Sequence, residues 1–501
     1  MQQAALKYDV DRHALVALLS FLALALVFEP LAVLGALAFS AILIIAIVRP
    51  HWILYLLLLT LPLQGTLVLT YRANIKVSEL LGCVLILAVA FRFLIWKEGF
   101  TFHPSMATPL LAFMVVIVVS TLNTPRFRTS MVLNQYMELG ISRDSPDARS
   151  YITALWGIYC ALLLGSLPTV LNRVEKAYTA FRALVWSGFA TAVFGIFQWV
   201  RLLQTDELYE LPGSIYHLDV IHSSSQGFPR SPSTFTEPSL FASYMILILP
   251  ITLALAVGRY PRIMGRKLAL LLFAVEAFSL LLSFSVSGFV LFLITLALFL
   301  YMATSRVAQG KLWWMLRRAI VCGIALLLIV SFLQSVGVYP ADVGEFVLAR
   351  LVGQADSAQQ RFGLAKIGWE MAKDHFLTGV GIGNFPFLAM SYGAAHSVVL
   401  MQFIFPTPSN LFILFLAELG IPGLAIFGWL LLGIYRFLVN ASKKISSEFR
   451  LLQIGLCTSM AGALLTFVFL DNLFVNYVWI ILGMSVALYQ VGRASTPSIH
   501  S

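Results

Sequence analysis

The sequence predicts an all-α protein: a polytopic bundle of transmembrane helices with one large, partly helical loop outside the membrane. Three observations predict it. Of the 501 residues, 60% are hydrophobic and 11% are charged, whereas a soluble domain carries about 25% charged residues. So few charges cannot cover a globular surface, and the solvent around most of the chain is lipid. The apolar residues also fall into runs close to the roughly 20 residues that a helix needs to cross a bilayer. Finally, these runs are continuous. Strands of a membrane barrel alternate apolar and polar residues, so helices are selected from the two structures that satisfy their own backbone in lipid.

In chain order the runs lie at 14–29, 31–48, 52–70, 79–96, 107–122, 151–171, 180–200, 239–257, 267–283, 286–303, 319–336, 411–438, 452–470 and 473–492. They predict about fourteen spans, with twelve to fourteen as the range. The first segment, MQQAALKYDVDRH, leads into apolar sequence that continues into a second run, which is the pattern of an anchor rather than of a cleaved signal. The run at 411–438 contains Gly420-Ile421-Pro422-Gly423 and is read as one helix interrupted there, because Pro and Gly break helices locally. Cys83, Cys160, Cys322 and Cys457 all fall inside apolar runs and suggest neither a disulfide framework nor a metal site.

The net charge is +10, but the charges sit in short loops, as the positive-inside rule requires, and a nucleic-acid partner is excluded. The basic loops at 258–267, 305–318 and 441–450 mark the cytoplasmic side. Three sizeable loops then face the exterior, at 123–150, 201–238 and 337–410. Their basic residues are mostly arginines: Arg126, Arg128, Arg143, Arg149, Arg201, Arg230, Arg350 and Arg361, with Lys366 and Lys373 in the largest loop. Arginine suits bidentate grip on phosphate, so a phosphate-bearing ligand on this face is one reading. Pairing with Asp144, Asp147, Asp342 or Glu345, or contact with lipid headgroups, is the other.

Three constellations stand out. In GFPRSPSTFTEPSLFASY (227–244), Arg230 and Glu237 meet at the mouth of a span, and Glu237-Pro238-Ser239 reads as a helix start. Arg230 binds an anion with Glu237 orienting it or handling a proton, or else Glu237 neutralises Arg230 or stabilises the helix terminus. In SAQQRFGLAKIGWEMAKDHFLTGVGIGNF (357–385), an amphipathic helix headed by Arg361 is too charged to span, and lies on the membrane or packs over a cavity. It leads into Gly379, Gly381 and Gly383, where positive φ angles are allowed. The backbone N–H groups there either cradle an anion or form a tight turn. In FPTPSNLFILFLAELGIPG (405–423), Ser409 and Asn410 are placed to cap the helix that follows. One carboxylate, Glu276, lies within a span. It is expected to face the bundle interior, as a cavity or relay residue or as a structural contact.

In this order, the three constellations resemble the O-antigen ligase and polysaccharide polymerase superfamily over the C-terminal 60% of the chain, roughly 201–501 including the loop 337–410. The helices of 1–200 carry no readable motif. RSPSTFTEPS (230–239) is similar to the family pattern R-x-x-G-x-F-x-x-P-N. Arg361 to Phe385 is similar to the arginine-headed helix ending in P-L-x-G-x-G-x-G-N-F. SNLFILFLAELGIPG (409–423) is similar to H-N-x-x-L-x-x-x-x-E-x-G-x-x-G, with Asn410, Glu418, Gly420 and Gly423 matching.

The resemblance implies a glycosyltransferase of the bacterial inner membrane whose active site faces the periplasm or exterior. Its donor would be a glycan on a polyprenyl diphosphate, attacked by a hydroxyl of an acceptor glycan, within membrane lipid and in reach of a polysaccharide-assembly complex. Arg230 and Arg361 would hold the diphosphate, and neither a metal nor another cofactor is implied. Ligases of the family carry a histidine where this chain has Ser409. That departure tilts the reading toward a polymerase of exopolysaccharide or O-antigen repeats, and leaves Glu237, His396 and His222 as alternatives for the proton-handling group, if one is needed. A transporter or lipid-glycan flippase is the rival. It would show paired repeats and broken mid-membrane helices, and Glu276 is its best argument. A non-catalytic assembly protein is a third reading.

Overall fold

The computed structural model describes residues 40–65, 68–70, 75–127, 146–205, 207–211, 230–304, 356–395, 407–471 and 473–494. The expectations for His222, His396, Cys322 and the runs at 14–29 and 319–336 lie outside them. The helices are α1 (Ser40–Val48), α2 (Pro50–Thr60), α3 (Val77–Trp96), α4 (Pro104–Ser120), α5 (Pro146–Val170), α6 (Val174–Thr205), α7 (Pro238–Val257), α8 (Arg266–Leu282), α9 (Val286–Thr304), α10 (Asp356–Asp374), α11 (Phe385–Ala395), α12 (Leu411–Lys444), α13 (Arg450–Thr466) and α14 (Asn476–Ala494).

The helical fold class holds, with one addition. Val68–Thr70 and Ile75–Lys76 form an antiparallel strand pair. The apolar run at 52–70 is therefore not one span. Its helix, α2, has 11 residues, about 16 Å at 1.5 Å per residue. It is bent by 114° from α1. The break falls at Arg49 (φ −135°, ψ 66°) ahead of Pro50, because proline pushes the residue before it out of the helical region.

Among the described residues, seven helices are long and apolar enough to cross a membrane, or eight if the bent α1–α2 pair counts as one. The expectation of about fourteen spans is not matched by this number. Two of the runs lie outside the described residues, and α8 and α13 have 17 residues each.

The centre of the bundle is α7, which is apolar all round, as a fully enclosed helix must be, and 83% buried. It packs against α13, α8 and α9. The approach of α13 is close because it presents glycine. A Cβ at Gly455 would lie 2.9 Å from the Pro250 carbonyl, and one at Gly462 would lie 2.6 Å from Ile246. Small residues at helix contacts let backbones meet where lipid supplies no hydrophobic drive. At the periphery α9 is only 28% buried. Leu94, Leu111, Leu155 and Leu293 on α3, α4, α5 and α9 point outward, a surface that lipid covers. α12 is one element broken at Gly420, whose φ of 67° is not helical, as the Gly-Ile-Pro-Gly sequence predicts.

The two ends of the bundle differ in chemistry. At one end, the α7–α8 turn lies beside basic residues: Arg182 Nε donates to the Ile263 carbonyl (2.9 Å) and Arg266 Nε to the Ala256 carbonyl (3.1 Å). At the other end, the starts of α5, α7, α9, α12 and α14 meet the ends of α4, α6, α8 and α13. The three constellations are gathered there.

Candidate functional site

The segment Arg230–Glu237 enters this end as a turning strap, closed by a bond from the Phe235 N–H to the Pro232 carbonyl (3.1 Å). Ser231 Oγ donates to the Gly195 carbonyl (2.8 Å) and Ser233 Oγ to the Thr191 carbonyl (2.7 Å), both on α6. Thr234 Oγ1 donates to the Pro62 carbonyl (2.7 Å), and the Gly65 N–H donates back to the Thr234 carbonyl (2.8 Å). Phe235 is fully buried and packs on Tyr244 and Tyr477, with ring centroids 5.4 and 6.5 Å away. Ser233, in the place the family pattern gives to glycine, has a φ of 53°, the left-handed region that favours glycine. Arg230 is thereby drawn inward. It is 6% exposed, and its Nε donates to the Ser283 carbonyl (3.3 Å) between α8 and α9.

Glu237 stands as the N-cap residue of α7, partly exposed, and accepts a hydrogen bond from Ser239 Oγ (2.6 Å). Asn410 caps α12: its Oδ1 accepts the Ile413 N–H (3.1 Å) and its Nδ2 donates to the Val468 carbonyl (3.1 Å). The Leu411 N–H donates to the Phe467 carbonyl (2.9 Å). These bonds seat the start of α12 on the loop after α13. Ser409 does not cap. It takes a φ of 48° at the turn into the helix.

In that loop lies Asp471, partly buried, hydrogen-bonded to Thr407 and in the electrostatic field of Glu237 and Arg149. Burial pushes its carboxyl above the usual aspartate range. The Thr407 bond opposes the rise, the Glu237 charge adds to it and the Arg149 charge subtracts from it.

The glycine loop has a different occupation from an open anion nest. Gly379, Gly381 and Gly383 have φ angles of 62°, 94° and 78°, so the backbone doubles back as the sequence allows. The acceptor it meets belongs to the chain itself. The Phe385 N–H donates to Glu418 Oε1 (3.1 Å), and the Gly383 backbone also bonds to this carboxyl. The Val380 and Gly381 N–H groups donate to the carbonyls of Ala417 and Glu418, both at 2.9 Å. The Ile421 N–H, freed by the break at Gly420, donates to the Phe376 carbonyl (2.8 Å). The second and third motifs are thus one clasp. Asn384 ties it to the turn after α4 through Thr124 (3.0 Å), and Arg149 lies beside Gly383.

Glu237, Ser409 and Asn410 therefore share one neighbourhood, and Gly381 and Gly383 belong to the clasp next to it. Arg361 stands on α10, partly exposed, and among the described residues no hydrogen bond ties it to that neighbourhood. Glu276 is fully buried inside the bundle, facing Gly188 of α6. Among the described residues, no group of three or more His, Cys, Asp or Glu side chains is arranged to hold a metal.

Asp471 was missed by sequence reasoning because it stands alone in an apolar stretch with no spacing pattern. Its place behind the helix starts exists only in the folded bundle. Arg149 carried a signal only as one of several exterior arginines.

A multi-pass membrane protein with a polar, motif-bearing site at one end of its bundle is the class that fold and geometry define. Residues 268–428 match the family model described as O-antigen ligase, which supports the resemblance to the O-antigen ligase superfamily. The match indicates a ligase- or polymerase-like, glycan-handling membrane function. The matched stretch contains the clasp, Arg361 and the start of α12. The Arg230 strap and Asp471 lie on either side of it in sequence and join it through the contacts above. No curated protein matches the chain.

Proposed function

We propose that this protein is a metal-independent membrane glycosyltransferase that moves glycan from a polyprenyl-diphosphate carrier to an acceptor glycan hydroxyl, acting as a polymerase of surface polysaccharide repeats rather than as a ligase. The observation that carries the reading is the convergence of Arg230, Glu237, Thr407 and Asp471 from separate parts of the chain at one end of a lipid-embedded bundle. That end lies opposite the basic turns, which the positive-inside rule assigns to the cytoplasm, so the site faces the exterior.

In the reaction, the acceptor oxygen forms a bond to the anomeric carbon while the bond from that carbon to the diphosphate oxygen breaks. The electron pair leaves with the diphosphate, and the proton of the acceptor hydroxyl passes to a carboxylate. Arg230 faces the leaving diphosphate, whose charge grows in the transition state, where a fixed cation lowers the barrier. Arg361, at the head of α10, is the second diphosphate ligand. Asp471 takes the proton in the place of the family histidine. A carboxyl raised above its ordinary range is a better base at neutral pH than a free aspartate; burial raises it, and the Glu237 charge adds to the rise. Ser409 and Asn410 position the acceptor at the α12 start.

The test is complementation in a deletion host with wild type, Arg230→Ala, Arg361→Ala or Asp471→Asn, each checked for membrane level, with surface polysaccharide resolved on a gel. Loss of long chains with accumulation of single lipid-linked repeats is expected. Long chains left on the carrier lipid would assign a ligase instead, and normal polysaccharide from every variant would overturn the reading.

A further inference from the structure

α10 has two faces of opposite fate. Leu364, Ile367 and Met371 are buried, at 0–1% exposure, against α11 and the outer part of α12. On the other side, Phe362, Lys366, Trp369 and Lys373 follow one another at spacings of four, three and four residues, which keeps them on one face of a helix. Phe376 and Leu377 prolong this stripe into the following turn. Its apolar members are exposed: Phe362 by 69%, Trp369 by 52%, Phe376 by 49% and Leu377 by 70%. Four large apolar side chains in a row are not left to water by a helix whose other face is well packed.

The stripe continues into the surface that lipid covers. Asn123 Nδ2 donates to the Thr378 carbonyl (2.9 Å), joining the end of the stripe to the end of α4. There Leu122 is 73% exposed, above Leu111, Val115 and Val118 of the same outward face. We infer that α10 lies in the plane of the bilayer interface, with Phe362, Trp369, Phe376 and Leu377 sunk to the acyl boundary and Lys366, together with Lys373 beside its ion-pair partner Glu370, at the level of the phosphates of anionic lipids. Aromatic rings favour that depth. Lysine stems cover apolar surface while their ammonium groups stay at the polar level. An amphipathic helix of this kind binds through buried apolar area plus attraction to anionic lipid. The helix that carries Arg361 and holds the glycine clasp is thereby fixed at headgroup height.

The inference does not rest on the proposed reaction, and its test reads no activity. Nitroxides are attached to Phe362→Cys and Trp369→Cys in the full chain, with the native cysteines replaced, in nanodiscs of mixed anionic and zwitterionic lipid. A label at Glu207→Cys, an exposed position after α6, serves as the water reference. Size-exclusion profiles confirm that each labelled protein is folded. Labels at 362 and 369 are expected to collide with oxygen far more than with a nickel chelate. Adding Lys366→Gln with Lys373→Gln is expected to make their immersion shallower in anionic discs and to leave it unchanged in purely zwitterionic ones. Nickel access at 362 and 369 equal to that at 207 would overturn the membrane placement. Immersion that ignores both lipid charge and the lysines would overturn the phosphate contact.

Discussion

The backbone N–H of Phe385 donates to the carboxyl of Glu418 across 3.1 Å, closing the glycine loop onto the break in α12. This one bond joins two motifs that are 33 residues apart. Glu418 is 3% exposed, so its loss leaves buried N–H groups without an acceptor. Glu418→Ala is expected to cost about 3 kcal/mol, the upper range for leaving a buried donor unsatisfied. Glu418→Gln, which keeps an acceptor oxygen, is expected to cost about half that. Thermal unfolding in one detergent compares them, and equal melting temperatures for both variants and wild type would contradict the clasp.

Gly420 makes the same point from the other strand of the clasp. Its φ is 67°, and a Cβ there would lie 2.8 Å from the Leu377 carbonyl. Gly420→Ala therefore incurs about 1–2 kcal/mol for the left-handed backbone and a clash with backbone that has no rotamer to escape through. Its melting temperature should fall below that of Gly428→Ala, a position where a Cβ meets nothing within 4 Å. Equal stability of the two would remove the argument.

At Ser233 a substitution should help rather than harm. The residue keeps a φ of 53° while its Oγ donates to the Thr191 carbonyl at 2.7 Å. Ser233→Ala loses the bond, worth about 1 kcal/mol, and keeps the strain. Ser233→Gly loses the bond and relieves about 1–2 kcal/mol of left-handed strain. The glycine variant should thus be more stable than the alanine variant by about 1–2 kcal/mol in thermal unfolding. The reverse order would mean that the strap takes another conformation.

Much of this architecture was legible beforehand. The helix starting at Pro238, the amphipathic α10, the interruption at Gly420 and the positive φ angles of the three glycines all follow from local rules, because each depends on neighbours in sequence. What stayed hidden depends on the third dimension. The apolar run at 52–70 looks continuous, yet its helix stops at Thr60 and a strand begins at Val68, and hydropathy does not register the change. The N–H groups of the glycine loop suggested an external anion because Glu418 is distant in sequence. Asp471 carries no pattern at all, and its setting is made by Thr407, Glu237 and Arg149 arriving from three other segments.

The pH dependence of glycan transfer distinguishes Asp471 as the proton acceptor from Asp471 as scaffolding. A base works only when ionised, so its protonation sets the acidic limb of the rate profile. Burial and the Glu237 charge raise the Asp471 carboxyl, and the Arg149 charge lowers it. In Glu237→Gln the like charge is gone, Asp471 ionises more readily and the limb should move to lower pH. In Arg149→Gln the opposite charge is gone and the limb should move to higher pH. Asp471→Asn should lose the limb together with about 100-fold or more of the rate, the scale of general-base catalysis. A scaffolding role would lower the rate in all three variants and leave the limb where wild type has it. Rates measured across pH on purified protein with lipid-linked donor decide between the two, because opposite displacements by Gln at 237 and at 149 cannot arise from loss of fold.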